Sequence, residues 1–401
     1  MVNEKNCPMY IHREIEESVL KALGNNPIVA LIGPRQCGKS TLVKYLLENN
    51  SECIYLDLER PSDLQKLDDA EWFLTTQQTK LICIDEIQRK QAIFPLLRSL
   101  ADDWKRNGIF LILGSASRDL LQQSSETLAG RISYKRLTPF LWKELVGKCT
   151  IEKYIARGGF PRSILANDDE TSFEWLENFI STFLERDLLF WRGFNPSSMR
   201  RLWQMLAHVN GQTVDYTTLA KSLGISVPTV KNYIDLLEST FMVEVIPPYF
   251  SNLGKRLVKA PKVYISDSGI TSSLLGLRSF EEMSGHPSIG GVWEQIVLSN
   301  LKGLFPSATF FFYRTSNGAE IDFVMKIRNI VFAIECKSSY SPSLSKGNYN
   351  AIEDIAPKKV FVVSPIVKGW KMKEGIELVS LNELEEKIRA EISDKGLITN
   401  H

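Results

Sequence analysis

The sequence predicts an α/β protein whose first part is a parallel sheet wrapped by helices, and three observations carry that expectation. Apolar runs at 28–32, 53–57, 81–84 and 109–113 alternate with helical patterns, as in sheets assembled from strand–helix–strand units. Residues 33–40 are GPRQCGKS, which fits G-x-x-x-x-G-K-S, the phosphate-cradling loop between a strand and a helix, without a mismatch. The run at 81–84 is followed by Asp85-Glu86, so two carboxylates stand at the carboxyl end of a strand, where open α/β sheets bind their ligands.

In chain order, the first run feeds the loop. Gly33 and Gly38 let the backbone curl so that successive N–H groups face the phosphates, and a side chain at either turn would obstruct them. Pro34, Arg35, Gln36 and Cys37 complete the cradle, Lys39 reaches the β- and γ-phosphates, and Ser40 offers its hydroxyl to Mg²⁺. Thr41 lies in the helical stretch that follows, whose positive N-terminal end points at the anion. The expected ligands are therefore ATP or ADP with Mg²⁺. Asp85 would hold the metal directly or through water, and Glu86 would orient or deprotonate the attacking water. The bland alternative is a chance glycine-rich turn and a chance acidic strand end, and finding both in this order argues against it. Cys37 has two readings: a thiol activated by the helix start, which would make nucleotide binding oxidation-sensitive, or a small filler of the loop.

A helical stretch at 93–105 leads to the run at 109–113, which continues into Gly114-Ser115. Further on come Ala129-Gly130-Arg131 and, at 158–162, GGFPR, a rigid turn between helices. Arg131 can serve as a finger on a neighbouring subunit's nucleotide, which would make the protein a homo-oligomer, or as a surface ion pair. Taken together, GPRQCGKST at 33–41, Asp85-Glu86, LGSAS at 113–117, AGR at 129–131 and GGFPR resemble the bacterial and archaeal AAA+/STAND-type ATPases over most of the chain. That resemblance implies a P-loop NTPase core that hydrolyses ATP, then a helical lid, a winged helix and a C-terminal domain. It also implies that Ser115 senses the γ-phosphate, against the alternative of a serine capping the next turn. Pro161 would lie against the adenine, and Arg13 would flank the base.

Residues 199–265 resemble a winged helix-turn-helix. A helix at 216–223, the turn Gly224-Ile225, and a second helix running from an N-cap at Ser226 to Glu238 set the motif. Val230, Tyr233, Ile234 and Leu237 recur at helical spacing and belong to the core. Thr229, Lys231 and Asn232 are left for phosphate or base contacts. Lys255, Arg256, Lys259 and Lys262 form a basic stretch where the wing falls. DNA, or RNA, is the partner such a module would take, and packing or switching is the alternative.

Two strand patterns at 319–324 and 331–337 flank a short loop at Arg328-Asn329, which predicts a hairpin. A loop centred between those two residues sets Asp322 opposite Glu335, about 5 Å apart at Cβ. Such like charges repel unless something positive stands between them, and a divalent cation would serve. Strand alternation puts Lys337 on the face of Glu335 and turns Cys336 away. The set resembles the D…ExK pattern of restriction-endonuclease-like folds, and Glu294 resembles the further acidic residue on their first helix. The resemblance implies Mg²⁺ held by Glu294, Asp322 and Glu335, with Lys337 stabilising a phosphodiester under attack. A solvated edge hairpin is the alternative. No proline precedes Asp322, which departs from the full pattern.

A chain of 401 residues supports several cores. The expected layout is an ATPase core at 1–150, a helical lid at 151–198, a winged helix at 199–270 and a restriction-endonuclease-like α/β domain at 271–401. A net charge of +1 excludes an overall field that would gather nucleic acid, so such binding has to be local. The chain shows no signal-peptide core and no apolar run that spans a bilayer, so a cytoplasmic protein without a membrane partner is expected. Cys7, Cys37, Cys53, Cys83, Cys149 and Cys336 are scattered, against a disulfide framework or a zinc site. The leading expectation is an ATPase whose nucleotide state controls a winged helix and a nuclease-like domain acting on nucleic acid. The alternative is an ATP-driven signalling or assembly switch with a non-catalytic C-terminal recognition domain.

Overall fold

The computed structural model describes residues 10–48, 52–115, 127–187, 194–250 and 258–393. Two compact units divide the chain, one comprising Met1–Phe140 with Ser239–Phe241 and the other Leu141–Glu238 with Met242–His401.

The first unit is built on five parallel strands, β1 (Ile28–Gly33), β2 (Cys53–Asp57), β3 (Leu81–Asp85), β4 (Phe110–Ser115) and β5 (Ile132–Arg136), in the order β2-β3-β4-β1-β5. Strand alternation divides their side chains between two cores. Ile28, Ala30, Ile82, Ile84, Phe110 and Ile112 face one, while Val29, Leu31, Cys83, Leu111 and Leu113 face the other. Helices α1 (Glu16–Asn25) and α2 (Lys39–Leu47) add Val19, Ala22, Leu42 and Val43 to the second core. Helix α3 (Phe94–Trp104) adds Phe94, Leu97, Leu100 and Ala101 to the first. Burial on both faces is why β1, β3 and β4 are near-continuous apolar runs. The strand β5, ISYKR, is half-buried along its whole length on the sheet edge, and apolar patterning gives no hint of it.

In this order β4 lies between β1 and β3, and Gly33 pairs with Ser115. Because all the strands run the same way, the loop after β1 and the carboxylates after β3 open on one edge of the sheet.

The second unit starts with α4 (Ile151–Arg157), α5 (Asp169–Thr182), α6 (Pro196–His208), α7 (Tyr216–Leu223) and α8 (Val227–Ser239). An antiparallel pair, β6 (Val243–Ile246) and β7 (Lys262–Ile265), and helix α9 (Ser268–Leu275) follow. One core joins all of these but α4, drawing Phe179 from α5, Trp203 from α6, Leu219 from α7, Leu237 from α8, Val263 from β7 and Ile270 from α9. Local signals set the helix ends. Thr229 N–H donates to Ser226 Oγ at 3.2 Å, and Gly224 closes α7 at φ 67°.

The C-terminal part packs α10 (Ile289–Leu304), α11 (Lys346–Ile355) and α12 (Leu381–Ser393) with a mixed six-stranded sheet. Its strands are β8 (Thr309–Arg314), β9 (Glu320–Ile327), β10 (Ile330–Cys336), β11 (Lys359–Val363), β12 (Trp370–Lys373) and β13 (Ile376–Val379), in the order β12-β13-β11-β10-β9-β8. Strand β10 runs parallel to β11 and antiparallel to β9.

The turn GGFPR is held by Asp267, the N-cap of α9. Gly159 N–H donates to Asp267 Oδ2 at 2.7 Å and Ile270 N–H to Oδ1 at 3.2 Å. Burial pushes this carboxyl up to about 6 against the pull of those N–H groups. Gly158 adopts φ 71° and ψ −166°, and a Cβ there would lie 2.0 Å from Asp267 Oδ1. Gly158→Ala should therefore destabilise the second unit, by about 1–3 kcal/mol from the backbone alone. A denaturant midpoint equal to that of wild type would contradict this packing.

Candidate functional site

β1 delivers the chain into the loop at Gly33, where a Cβ would lie 2.1 Å from the Leu137 carbonyl oxygen, so that only glycine fits. Gly38 adopts φ 100° as the N-cap of α2, a conformation that a side chain would strain. Lys39 is buried, and its Nζ donates to the carbonyl oxygens of Gly33 (3.0 Å) and Pro34 (2.8 Å). These are neutral acceptors for a buried ammonium, and among the described residues no ion pair neutralises it, so an anion at the loop would be welcome. Arg35 lies 3.7 Å from Glu59, while Gln36 and Thr41 are exposed.

Ser40 Oγ donates to Asp85 Oδ2 at 2.6 Å, the Tyr55 hydroxyl donates to the same oxygen, and Glu86 N–H donates to Oδ1 at 2.9 Å. The hydroxyl and carboxylate expected to share Mg²⁺ are thus in contact, and oxygen donors of this kind suit that ion. Burial and the neighbouring Asp85 charge hold the Tyr55 hydroxyl above its usual value, so it stays a donor. Glu86 follows in left-handed backbone, φ 56° and ψ 43°, and its carboxylate accepts from the Gln88 amide. Burial and the charge of Asp85 push Glu86 above the ordinary carboxylate range, opposed by Arg35 and Lys39.

Three expectations for the first unit require correction or narrowing. Arg13 does not present itself to a base. It is buried, with Nη1 donating to the Cys37 carbonyl (3.0 Å), Nη2 donating to the Thr138 carbonyl (2.6 Å), and its guanidinium 4.5 Å from the Phe140 ring centre. Cys37 has no exposed surface, and its thiol donates to the Leu137 carbonyl at 3.6 Å, which makes it the filler and removes the access that oxidation needs. Arg131 takes its ion-pair alternative, with Nη2 3.0 Å from Asp102 Oδ2. Ser115 closes β4 beside Gly33, but its side chain lies outside the described residues, as do Ala116 and Ser117. Pro161 opens a helical turn, Pro161–Ile164, in the second unit.

A second cluster forms on the C-terminal sheet. The β9–β10 register runs from Ile327↔Ile330 to Phe323↔Ile334, so the next pair is Asp322 with Glu335, as the hairpin reading requires. Both carboxylates are buried. Cys336 N–H donates to Asp322 Oδ2 at 2.8 Å, while Lys337 Nζ (2.6 Å) and Asn348 Nδ2 (2.9 Å) donate to Glu335 Oε1. Glu294, on α10, accepts from the Tyr264 hydroxyl at 2.6 Å. Burial and the charge of Asp322 raise both Glu294 and Glu335.

The positive charge expected between these carboxylates is present as a lysine. Lys262 of β7 is 2% exposed, with Nζ 3.5 Å from Glu294 Oε2, 3.4 Å from Glu320 Oε1 and 3.5 Å from Asp322 Oδ1. The expectation that Lys262 belongs to an exposed basic wing is therefore corrected. Lys259 is exposed, and Lys255 and Arg256 lie outside the described residues. With Lys262 standing among Glu294, Glu320 and Asp322, and Lys337 paired with Glu335, the expected set of Glu294, Asp322 and Glu335 does not fit a divalent ion as it stands. Among the described residues no group of three or more His, Cys, Asp or Glu side chains is placed to hold a metal. On α8, Lys231 and Asn232 are exposed, and Thr229 Oγ1 shares a hydrogen bond with Ser226 Oγ.

The loop, its strand order and the Ser40–Asp85 contact define the class as an AAA-type P-loop ATPase domain, and the AAA-domain family model matches residues 25–146. Two further models, each described as a domain of unknown function, DUF8612 and DUF4143, match 149–281 and 289–384. The chain belongs to the family of the uncharacterized protein Rv2008c of Mycobacterium tuberculosis. It is 36% identical to that protein over 380 residues, covering 94% of this chain and 86% of the relative. The uncharacterized protein MJ1544 of Methanocaldococcus jannaschii is 22% identical over 348 residues, 79% of this chain and 75% of its own. Among solved structures, the Walker-type ATPase PABY2304 of Pyrococcus abyssi is similar at a TM-score of 0.47 and 15% identity, over 66% of this chain and 96% of that one. Among the described residues no helix is long and apolar enough to cross a membrane.

Tyr55, Asn348 and the true place of Lys262 escape sequence reasoning. Of these only Tyr55 leaves a trace, since it sits two residues before the end of a strand that pairs with β3. Replacing Arg13 with alanine removes charged hydrogen bonds that hold the loop. It should lower the stability of the first unit by roughly 1.5–3 kcal/mol in a denaturant titration. A variant as stable as wild type that merely binds nucleotide less tightly would restore Arg13 as a base contact.

Proposed function

We propose that the protein is a Mg²⁺-dependent ATPase whose nucleotide state governs a nucleic-acid-facing module formed by the winged-helix-like segment and the C-terminal sheet. The observation that carries this reading is the contact of Ser40 with Asp85 beside a buried Lys39 whose partners among the described residues are carbonyl oxygens. The loop N–H groups and Lys39 bind the phosphates, and Ser40 and Asp85 would hold the metal. A Mg²⁺ ion held by these two residues would supply Lewis-acid charge neutralisation to the phosphates. Tyr55 keeps the Asp85 carboxylate oriented through its hydroxyl. Glu86, turned off the strand line by its left-handed backbone, orients the attacking water and takes its proton. Its raised affinity for a proton makes it a stronger base than an exposed carboxylate.

The nucleic-acid part of the reading is supported by the order of elements in the second unit. Helices α6, α7 and α8 followed by the β6–β7 pair come in the order expected of a winged helix, and Lys231, Asn232 and Lys259 are exposed, as phosphate contacts would require. A second reading, an ATP-driven switch whose C-terminal domain recognises a partner without cutting it, is favoured by Lys262 among the carboxylates.

Lys39→Ala should abolish ATP binding in a fluorescent-nucleotide titration. Glu86→Gln should bind ATP normally while turnover falls by about 10²–10⁴; equal turnover in wild type and this variant would remove Glu86 as the base. Because burial and Asp85 raise Glu86, it is still protonated at a pH where an exposed carboxylate is already charged. Turnover should therefore be lost on acidification at a pH above the ordinary carboxylate range, and a kcat profile flat down to about pH 4.3 would count against the assignment.

A further inference from the structure

The cluster around Lys262 lies outside the ATPase reading and does not depend on it. Lys262 enters from a strand that is fastened on both sides. Gly211 N–H donates to the Val263 carbonyl at 3.0 Å, and Ile265 N–H donates to Asn210 Oδ1 at 2.9 Å. Asn210 Nδ2 in turn donates to the Gly291 carbonyl (3.1 Å) and to Gln295 Oε1 (2.7 Å), both on the helix that carries Glu294. Two glycines allow this approach. A Cβ on Gly211 would lie 3.2 Å from Glu294 Oε2, and one on Gly291 would lie 2.2 Å from the Asn210 carbonyl oxygen. The ammonium also stands 5.7 Å from the centre of the Phe312 ring. Lys262 is thus built into the cluster by its backbone, its neighbours and its burial.

We propose that Lys262 is the resident cation of this centre, its ammonium standing among Glu294, Glu320 and Asp322 where a divalent ion would have to bind. The centre holds a lysine in place of a metal. An incoming divalent ion would meet a positive charge that can leave only by breaking three ion pairs at once. Lys337 does not substitute for it, because its ion pair is with Glu335. Without the ammonium, Glu294, Glu320 and Asp322 would converge as oxygen donors with no cation between them, an arrangement that takes a hard divalent cation.

The test is Mn²⁺ binding by the full-length, nucleotide-free protein, read from the loss of the free-Mn²⁺ paramagnetic resonance signal. Wild type and Asp322→Asn should titrate alike. Lys262→Met should gain a Mn²⁺ held about a hundredfold tighter than anything at this centre in wild type, and adding Asp322→Asn should abolish the gain. Lys262→Met leaves buried carboxylates uncompensated, so Lys262→Met with Glu294→Gln, which removes one charge of each sign, is the companion variant that protects the fold. Any Mn²⁺ taken up at Ser40 and Asp85 is common to all these proteins, so failure of the ATPase reading would alter only the shared background. The proposal is overturned if wild type binds Mn²⁺ in a manner that Asp322→Asn removes. It is equally overturned if Lys262→Met with Glu294→Gln is folded and gains none.

Discussion

A parallel sheet covered on both faces leaves its polar chemistry nowhere to go but its ends. In the first unit the side chains of β1, β3 and β4 are taken up by two apolar cores. Gly33, Ser115 and Asp85, which close these strands, stand on one edge for that reason. The insertion of β4 between β1 and β3 sets the spacing between the phosphate loop and the carboxylates. Everything about the nucleotide site follows from that edge, including the backbone reversal at Glu86 that carries its side chain away from the sheet.

The second unit answers the same question, where to put charge, in a different way. Its carboxylates are drawn inward, and the structure compensates them with lysines and N–H donors supplied by β7, β10 and α11. Burying a charge is costly unless a partner is fixed beside it, and the glycines at 211 and 291 let the strand carrying Lys262 come close enough to do so. The two centres of the chain therefore differ in kind. Among the described residues the first holds its cation, Lys39, on neutral carbonyl oxygens, whereas the second pairs Lys262 and Lys337 with carboxylates.

The parts of this that can be read from the sequence are those in which chemistry dictates residue type at fixed spacing. The octapeptide at 33–40 does so because glycine, lysine and a hydroxyl each have one role near a phosphate. The Asp322–Glu335 pairing is legible because a hairpin's loop centre and the period of two fix its register. The edge strand β5 is not legible, since a half-buried strand carries no apolar run. Arg13 escapes because its partners, Cys37 and Thr138, are 24 and 125 residues away. Lys262 misleads for a related reason. Within the sequence it is one of several basic residues near a hairpin, and only tertiary placement shows that it points inward. The repulsion between the two carboxylates did announce a missing positive charge, and the chain itself supplies it.

The clamp of Arg13 bears on how the loop meets its ligand. By joining the carbonyl of Cys37 to that of Thr138, the guanidinium ties the loop to the chain leaving β5. A glycine-bearing loop would otherwise sample many shapes and lose that freedom only when a nucleotide arrived. Here the freedom is surrendered during folding, so association meets a loop already organised, and the ordering cost that ordinarily subtracts from affinity is borne by the stability of the unit. Nucleotide affinity and the stability of the first unit are in this sense two measures of a single contact.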